Sequence, residues 1–128
     1  MVLIKPDGVR RNLIGEIISR CEAKGYTVAE LKKLTPTRDL LAKHYAEHEG
    51  KPFYEPLVEF MLSGPVVAIR LEGNRVIEGF RSLAGATDPT TAAPGTIRGD
   101  YCISVGRNII HGSDSFESAN VEIPLWFK

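Results

Sequence analysis

The sequence predicts an α+β domain in which four antiparallel strands form an open sheet covered by helices. Three observations predict it. Apolar residues at helical spacing alternate with short runs rich in β-branched residues, so two periodicities share one chain. The elements follow the order strand, helix, strand, helices, strand, helix, strand, helix. No internal repeat, low-complexity tract or interdomain linker interrupts the 128 residues, so one domain over 1–128 is expected.

Val2 to Ile4 is an apolar run of strand type. Lys5-Pro6-Asp7-Gly8 reads as a turn, because proline fixes φ and glycine tolerates φ above zero. Asn12 is placed to cap a helix whose stripe is Leu13, Ile14, Ile17, Ile18 and Cys21, with Gly25 where the chain must leave it. Tyr26 to Leu34 reads as the second strand. Thr35-Pro36-Thr37 offers a cap for a short helix carrying Leu40, Leu41, His44 and Tyr45. A further helix runs from about Phe53 to Ser63 and stops at Gly64-Pro65, and Val66 to Leu71 is the third strand. After the turn Glu72-Gly73-Asn74, a helix over Arg75–Leu83 leads into a long loop, Gly85 to Gly99, rich in Gly, Pro, Thr and Ala. So long a connection in a small domain is usually functional. Tyr101 to Val105 is the predicted fourth strand, and Ser113 or Ser115 caps a last helix reaching Trp126. Pro124 predicts that this helix ends or kinks near Ile123. With the extra helices treated as insertions, the order contains the β-α-β-β-α-β split of ferredoxin-like folds.

Sixteen basic and 16 acidic side chains cancel, which removes the long-range attraction expected of a general nucleic-acid or membrane-surface binder. A compact phosphate ligand remains compatible, since a few cations gathered at one pocket leave the total at zero. Cys21 and Cys102 form no C-x-x-C pair and are too few for a disulfide framework, so reduced buried thiols are expected. Lys5 cuts off the N-terminal apolar run before a signal-peptide core can form. No apolar run reaches the roughly 20 residues of a membrane span, and a cytoplasmic location is expected.

The densest polar segment is Asn108-Ile109-Ile110-His111-Gly112-Ser113-Asp114-Ser115. A histidine that follows two isoleucines and precedes small residues is held on one side and open on the other. Neutral imidazole is a good nucleophile near pH 7; the other reading is a buried histidine bonded to a carbonyl. Glu122, in the last helix, is placed to orient such a ring, or else is a solvated helix residue. No G-x-x-x-x-G-K-[ST] loop is present, so phosphate would be bound by cations at element ends, with Lys5, Arg81 and Arg98 as candidates. Two motifs mislead. His44-Tyr45-Ala46-Glu47-His48 fits the H-x-x-E-H pattern of zinc peptidases but lacks an evident third ligand. Arg98-Gly99-Asp100 spells an adhesion tripeptide in a chain expected inside the cell.

Taken in order, Lys5-Pro6-Asp7-Gly8, His44-Tyr45, Ser63-Gly64-Pro65-Val66, Pro94-Gly95-Thr96-Ile97-Arg98-Gly99-Asp100 and Asn108 to Ser115 resemble the hallmarks of nucleoside diphosphate kinases over essentially the whole chain, in a short-tailed, bacterial-type form. The resemblance implies reversible, ping-pong transfer of a γ-phosphoryl group from nucleoside triphosphates to diphosphates, with broad base specificity. It implies His111 as the nucleophile that becomes phosphohistidine, Glu122 and Ser113 as residues orienting it, and Lys5 as a catalytic cation. Lys5, Tyr45, Arg81, Thr87, Arg98 and Asn108 match positions that bind phosphates or ribose; Phe53 and Val105 match those flanking the base, with Leu57 beside them. Magnesium (Mg2+) would ride on the nucleotide phosphates, with no protein metal cage. The resemblance also implies a homotetramer or homohexamer. A nucleotide-binding module without turnover is the alternative.

Overall fold

The computed structural model describes all residues 1–128. Its sheet has four strands, β1 (Val2–Ile4), β2 (Thr27–Leu34), β3 (Val66–Glu72) and β4 (Ile110–Gly112), in the order β2-β3-β1-β4. All three pairings are antiparallel, with Leu3 opposite Ala68 on one side and His111 on the other. Strand β1 is apolar throughout and β3 from Val66 to Ile69, because both faces of the sheet are covered there. Val2, Ile4, Val67, Ile69 and Leu71 point into one core, with Ile17, Cys21, Phe80, Ala84 and Ile97. Leu3, Val66 and Ala68 point into the other, with Leu41, Val58, Met61 and Trp126. The two-residue period of a strand thus feeds two helical layers.

Seven helices supply those layers: α1 (Pro6–Arg10), α2 (Ile14–Lys24), α3 (Arg38–His44), α4 (Tyr54–Leu62), α5 (Val76–Ala84), α6 (Ile97–Tyr101) and α7 (Phe116–Trp126). Local chemistry sets several ends. Gly25 closes α2 at φ 114°, a left-handed position that favours glycine. Thr37 Oγ1 accepts from the Leu40 amide at 3.1 Å to start α3, and Ser115 Oγ accepts from the Ser118 amide at 3.1 Å to start α7.

Four expectations are corrected. Lys5–Gly8 is not a free turn: Pro6 opens the short helix α1, where its missing amide costs nothing. Asn12 does not cap α2; it sits at φ 59° in the preceding turn, and Leu13 occupies the cap position. Tyr101–Val105 is not the fourth strand. Thr96 Oγ1 accepts from the Gly99 amide and nucleates α6, which consumes Tyr101, while Ile103 and Val105 stand 90% and 55% exposed. The strand forms at Ile110–Gly112 instead, where Ile110 has a buried slot against Ile4. Finally, α7 runs on through Pro124 to Trp126. The carbonyl that Pro124 leaves free belongs to Asn120, which is exposed and can bond to water. No helix is long and apolar enough to cross a membrane.

Candidate active site

His111 lies on the edge strand β4, between Ile110, which is buried in the core, and the start of the α7 region. Its Nε2 is 3.2 Å from both carboxylate oxygens of Glu122. A carboxylate only accepts, so Nε2 carries the proton and donates, and Nδ1 keeps its lone pair. Glu122 is buried on α7 and its Oε1 also accepts from Ser113 Oγ at 2.5 Å, while the Ser113 amide donates to the Met1 carbonyl at 3.0 Å. Burial pushes the Glu122 carboxyl up, but the hydrogen bond and charge of His111, with help from Ser113 and His44, outweigh it and leave the pKa below the usual range. The carboxylate is therefore ionised and fixed.

Behind the ring stands His44, at the end of α3. Trp126 Nε1–H donates to its Nδ1 at 3.1 Å, and its ring meets that of His111 edge-on at 5.0 Å. Burial first, then the neighbouring His111, pushes His44 down to about 4, against the pull of Glu122, so it stays neutral at physiological pH. The H-x-x-E-H pair does not form one helix face. His44 ends α3, whereas His48 belongs to a separate 3-10 turn, Ala46–His48, and packs against Phe53. His44, His111 and Glu122 do offer ligand atoms within 4.8 Å of one another. The His44 lone pair is nevertheless taken by the indole, and Nε2 of His111 is spent on the carboxylate.

The cations converge on the open side. His111, Glu122, Lys5, Tyr45, Arg81, Thr87, Arg98 and Asn108 all line one cavity of about 280 Å³. Lys5 follows β1 directly, and its Nζ donates to Asn108 Oδ1 at 3.0 Å. Burial and then the nearby Arg98 push the Lys5 ammonium down to about 8, although Asp7 and Cys102 pull it up. Arg98, on α6, donates to the carbonyls of Gly85 and Ile110 at 3.0 and 2.8 Å. Arg81, on α5, reaches the Gly112 carbonyl at 3.4 Å, and Asn108 Nδ2 the Thr87 carbonyl at 3.4 Å. Burial, then Glu122, raises the Tyr45 hydroxyl pKa, so the phenol keeps its proton. Four expected site residues lie outside the lining: Ser113, which is hydrogen-bonded to Glu122 behind it, and Phe53, Leu57 and Val105. Phe53 and Val105 are 49% and 55% exposed. Sequence reasoning passed over His44, Glu47, His48 and Asp114 as lining residues. For Glu47 and His48 the only signal was the motif set aside as a zinc site, whereas His44 also belongs to the hallmark pair His44-Tyr45.

A nucleophilic ring with its proton fixed on the far nitrogen, facing three cations, is equipped to accept a phosphoryl group. The model of the nucleoside diphosphate kinase family matches residues 1–128. The chain belongs to the nucleoside diphosphate kinase family. The nucleoside diphosphate kinase of Streptomyces avermitilis is 62% identical over 128 residues, covering 99% of this chain and 93% of that protein. The cytosolic nucleoside diphosphate kinase of Dictyostelium discoideum is 58% identical over 125 residues, covering 98% and 81%. The structure of a halophilic nucleoside diphosphate kinase from Halobacterium salinarum in complex with CDP superposes with a TM-score of 0.95 at 49% identity, covering 99% of this chain and 85% of that one. The α+β, ferredoxin-like architecture of this family is the one described above.

Proposed function

We propose that the protein is a nucleoside diphosphate kinase that passes a γ-phosphoryl group from a nucleoside triphosphate to a nucleoside diphosphate through phosphohistidine at His111, within a single domain spanning 1–128. The observation that carries this reading is the His111–Glu122–Ser113 chain, which leaves Nδ1 as the free nucleophilic nitrogen on a cavity lined by Lys5, Arg81 and Arg98.

In the first half-reaction the Nδ1 lone pair attacks the γ-phosphorus. A P–N bond forms, the bond to the β,γ-bridging oxygen breaks, and the diphosphate leaves with that electron pair. In the second, a terminal oxygen of another nucleoside diphosphate attacks the same phosphorus and expels the imidazole. Glu122 stabilises the positive charge that develops on the ring during attack. Lys5, Arg81 and Arg98 stabilise the equatorial oxygens of the transferring group, so catalysis rests on positioning and charge. Both bonds exchanged are phosphoanhydrides in the overall reaction, which makes it close to thermoneutral and reversible.

The cavity volume suits a phosphate chain better than a whole nucleotide. Tyr45, Thr87 and Asn108 supply hydrogen bonds to phosphate or ribose, and the nucleoside lies outward, between the exposed Phe53 and Val105 with Leu57 beside them. Contacts to the flat face of the base rather than its edge give broad base specificity. The donor set fits magnesium carried in on the phosphates: the cavity holds cations and isolated carboxylates such as Asp114, not an oxygen cage. Bound there, magnesium would supply positive charge that offsets the negative charge of the phosphates.

Assembly as a homotetramer or homohexamer is supported by apolar surface at Leu31, on the edge strand β2, and at Ile103, 54% and 90% exposed in one chain. Cytoplasmic location is supported by the relative named cytosolic. The test of the reaction is incubation with magnesium and ATP labelled on the γ-phosphate. Acid-labile, base-stable label appears on the protein, transfers to GDP, and is lost in His111→Ala; label that persists in that variant refutes the nucleophile.

A further inference from the structure

The segment that delivers His111 begins with a costly turn. The Ile110 amide donates to the Asn108 carbonyl at 2.7 Å, closing a three-residue γ-turn centred on Ile109 at φ 57°. A β-branched residue seldom adopts that conformation, and the surroundings must hold it there. Both main-chain groups of Ile109 are held by the β1–α1 junction. The Lys5 amide donates to the Ile109 carbonyl at 2.8 Å, and Asp7 Oδ2 accepts from the Ile109 amide at 3.1 Å. Gly8 completes the seat, since a Cβ there would lie 2.8 Å from Ile4 Cγ2 and 3.1 Å from the Ile109 oxygen. Asp7 is buried, and its second oxygen, Oδ1, has no hydrogen-bond partner. A buried carboxylate with one oxygen unmatched is an expensive way to build a helix start. It is explained if the carboxylate serves the turn.

We propose that Asp7 is a positioning residue for phosphoryl transfer: it clamps the strained Ile109 turn, and through it sets both Asn108, on one side, and His111, on the other. This rests on the reading of His111 as nucleophile. The turn reverses the chain so that Asn108 meets Lys5 Nζ while His111 enters β4 opposite Leu3. The same carboxylate supports the Lys5 ammonium electrostatically. Around that ammonium stand Arg98 from α6, Cys102 just after it, Asp7 from α1, His44 from α3 and the Asn108 amide oxygen; Asp7 is the nearby carboxylate that pulls its proton affinity up.

The experiment compares Asp7→Ala and Asp7→Asn in the full chain by rapid-quench phosphoenzyme formation across pH, with thermal unfolding alongside. Asp7→Ala is expected to slow formation about a hundredfold, the effect of misplacing a reacting group by about 1 Å. Asp7→Asn, whose amide oxygen still accepts from Ile109 and whose NH2 replaces the partnerless Oδ1, recovers most of that loss near neutral pH. It also moves the alkaline fall in rate to lower pH, because the pull on Lys5 is gone. A merely structural aspartate would not couple those two readouts. An Ala variant as fast as the parent, or an Asn variant with an unmoved alkaline limb, overturns the proposal. If Asp7→Ala does not fold, the Asn profile decides. If the parent forms no phosphoenzyme, the reading of His111 fails separately, and the Asp7→Ala crystal structure decides: Ile109 still at positive φ overturns the clamp.

Discussion

The proposed mechanism needs the Lys5 charge at the phosphate site, yet burying that charge works against the fold, and the size of that conflict can be measured. Its ammonium is pushed from the ordinary 10.5 to about 8, chiefly by burial. That difference makes the charged form about 3 kcal/mol less favourable, relative to the neutral amine, than in the unfolded chain. The sign follows from linkage. Between about pH 8 and 10.5 the unfolded chain holds the Lys5 proton and the folded chain does not, so stability rises with pH across that window: the cost of burying the charge is full below it and gone above it. In Lys5→Met the contribution vanishes. The stability of the variant minus that of the parent should therefore fall by about 3 kcal/mol between pH 7.5 and 10.5. Constant terms, such as the lost hydrogen bond to Asn108, cancel in this difference, and so do titrations common to both proteins. The assay is urea unfolding at matched protomer concentration at several pH values. A stability difference that stays flat above pH 8 refutes the burial argument for Lys5. Phosphoryl transfer by Lys5→Met should fall at every pH.

Three further outcomes follow from other contacts. Glu122→Gln turns a charge-assisted hydrogen bond into a neutral one, a loss of about 1.5 kcal/mol, so rapid-quench phosphoenzyme formation should slow roughly tenfold; a rate within twofold of the parent contradicts the orienting role. The lowered Glu122 pKa gives stability that is present above the ordinary carboxylate value and lost as pH falls through the folded one. Acid unfolding of Glu122→Gln should accordingly lack that part of the parent's loss. Ser115→Ala removes the α7 cap at Ser118 and should cost about 1 kcal/mol, read as a lower urea midpoint with unchanged slope.

The two hallmark segments, Lys5–Gly8 and Asn108–Ser115, were legible because their chemistry is local and dense. Their relation was not. Nothing in either segment announces that Asp7 holds the amide of Ile109, 102 residues away in sequence. The fourth strand was misplaced for a similar reason. A three-residue strand shows no period, and Ile110–Gly112 is a strand only because Ile4, Leu3 and Val2 lie opposite. Tyr101–Val105 had the better composition, but the Thr96 cap turned its start into α6. The long helices were found because burial on one side imposes a repeating pattern on them, and the two inner strands because burial on both faces makes them apolar runs. His44 was legible as part of a hallmark pair and of a zinc-like motif but not as a packing partner of His111, since Trp126 and His111 are remote from it in sequence.

Arg98 is held by two main-chain carbonyls, of Gly85 and Ile110, and is 8% exposed. An arginine side chain free in solvent loses rotamer entropy worth about 2 kcal/mol when a ligand immobilises it. Here that ordering takes place once, as the chain folds, and no phosphate has to repeat it at each turnover. The same arrangement speaks to release. A guanidinium that keeps these main-chain partners has less to lose when, in the proposed reaction, the diphosphate departs, so a tight grip on the transferring group need not mean slow escape of the product.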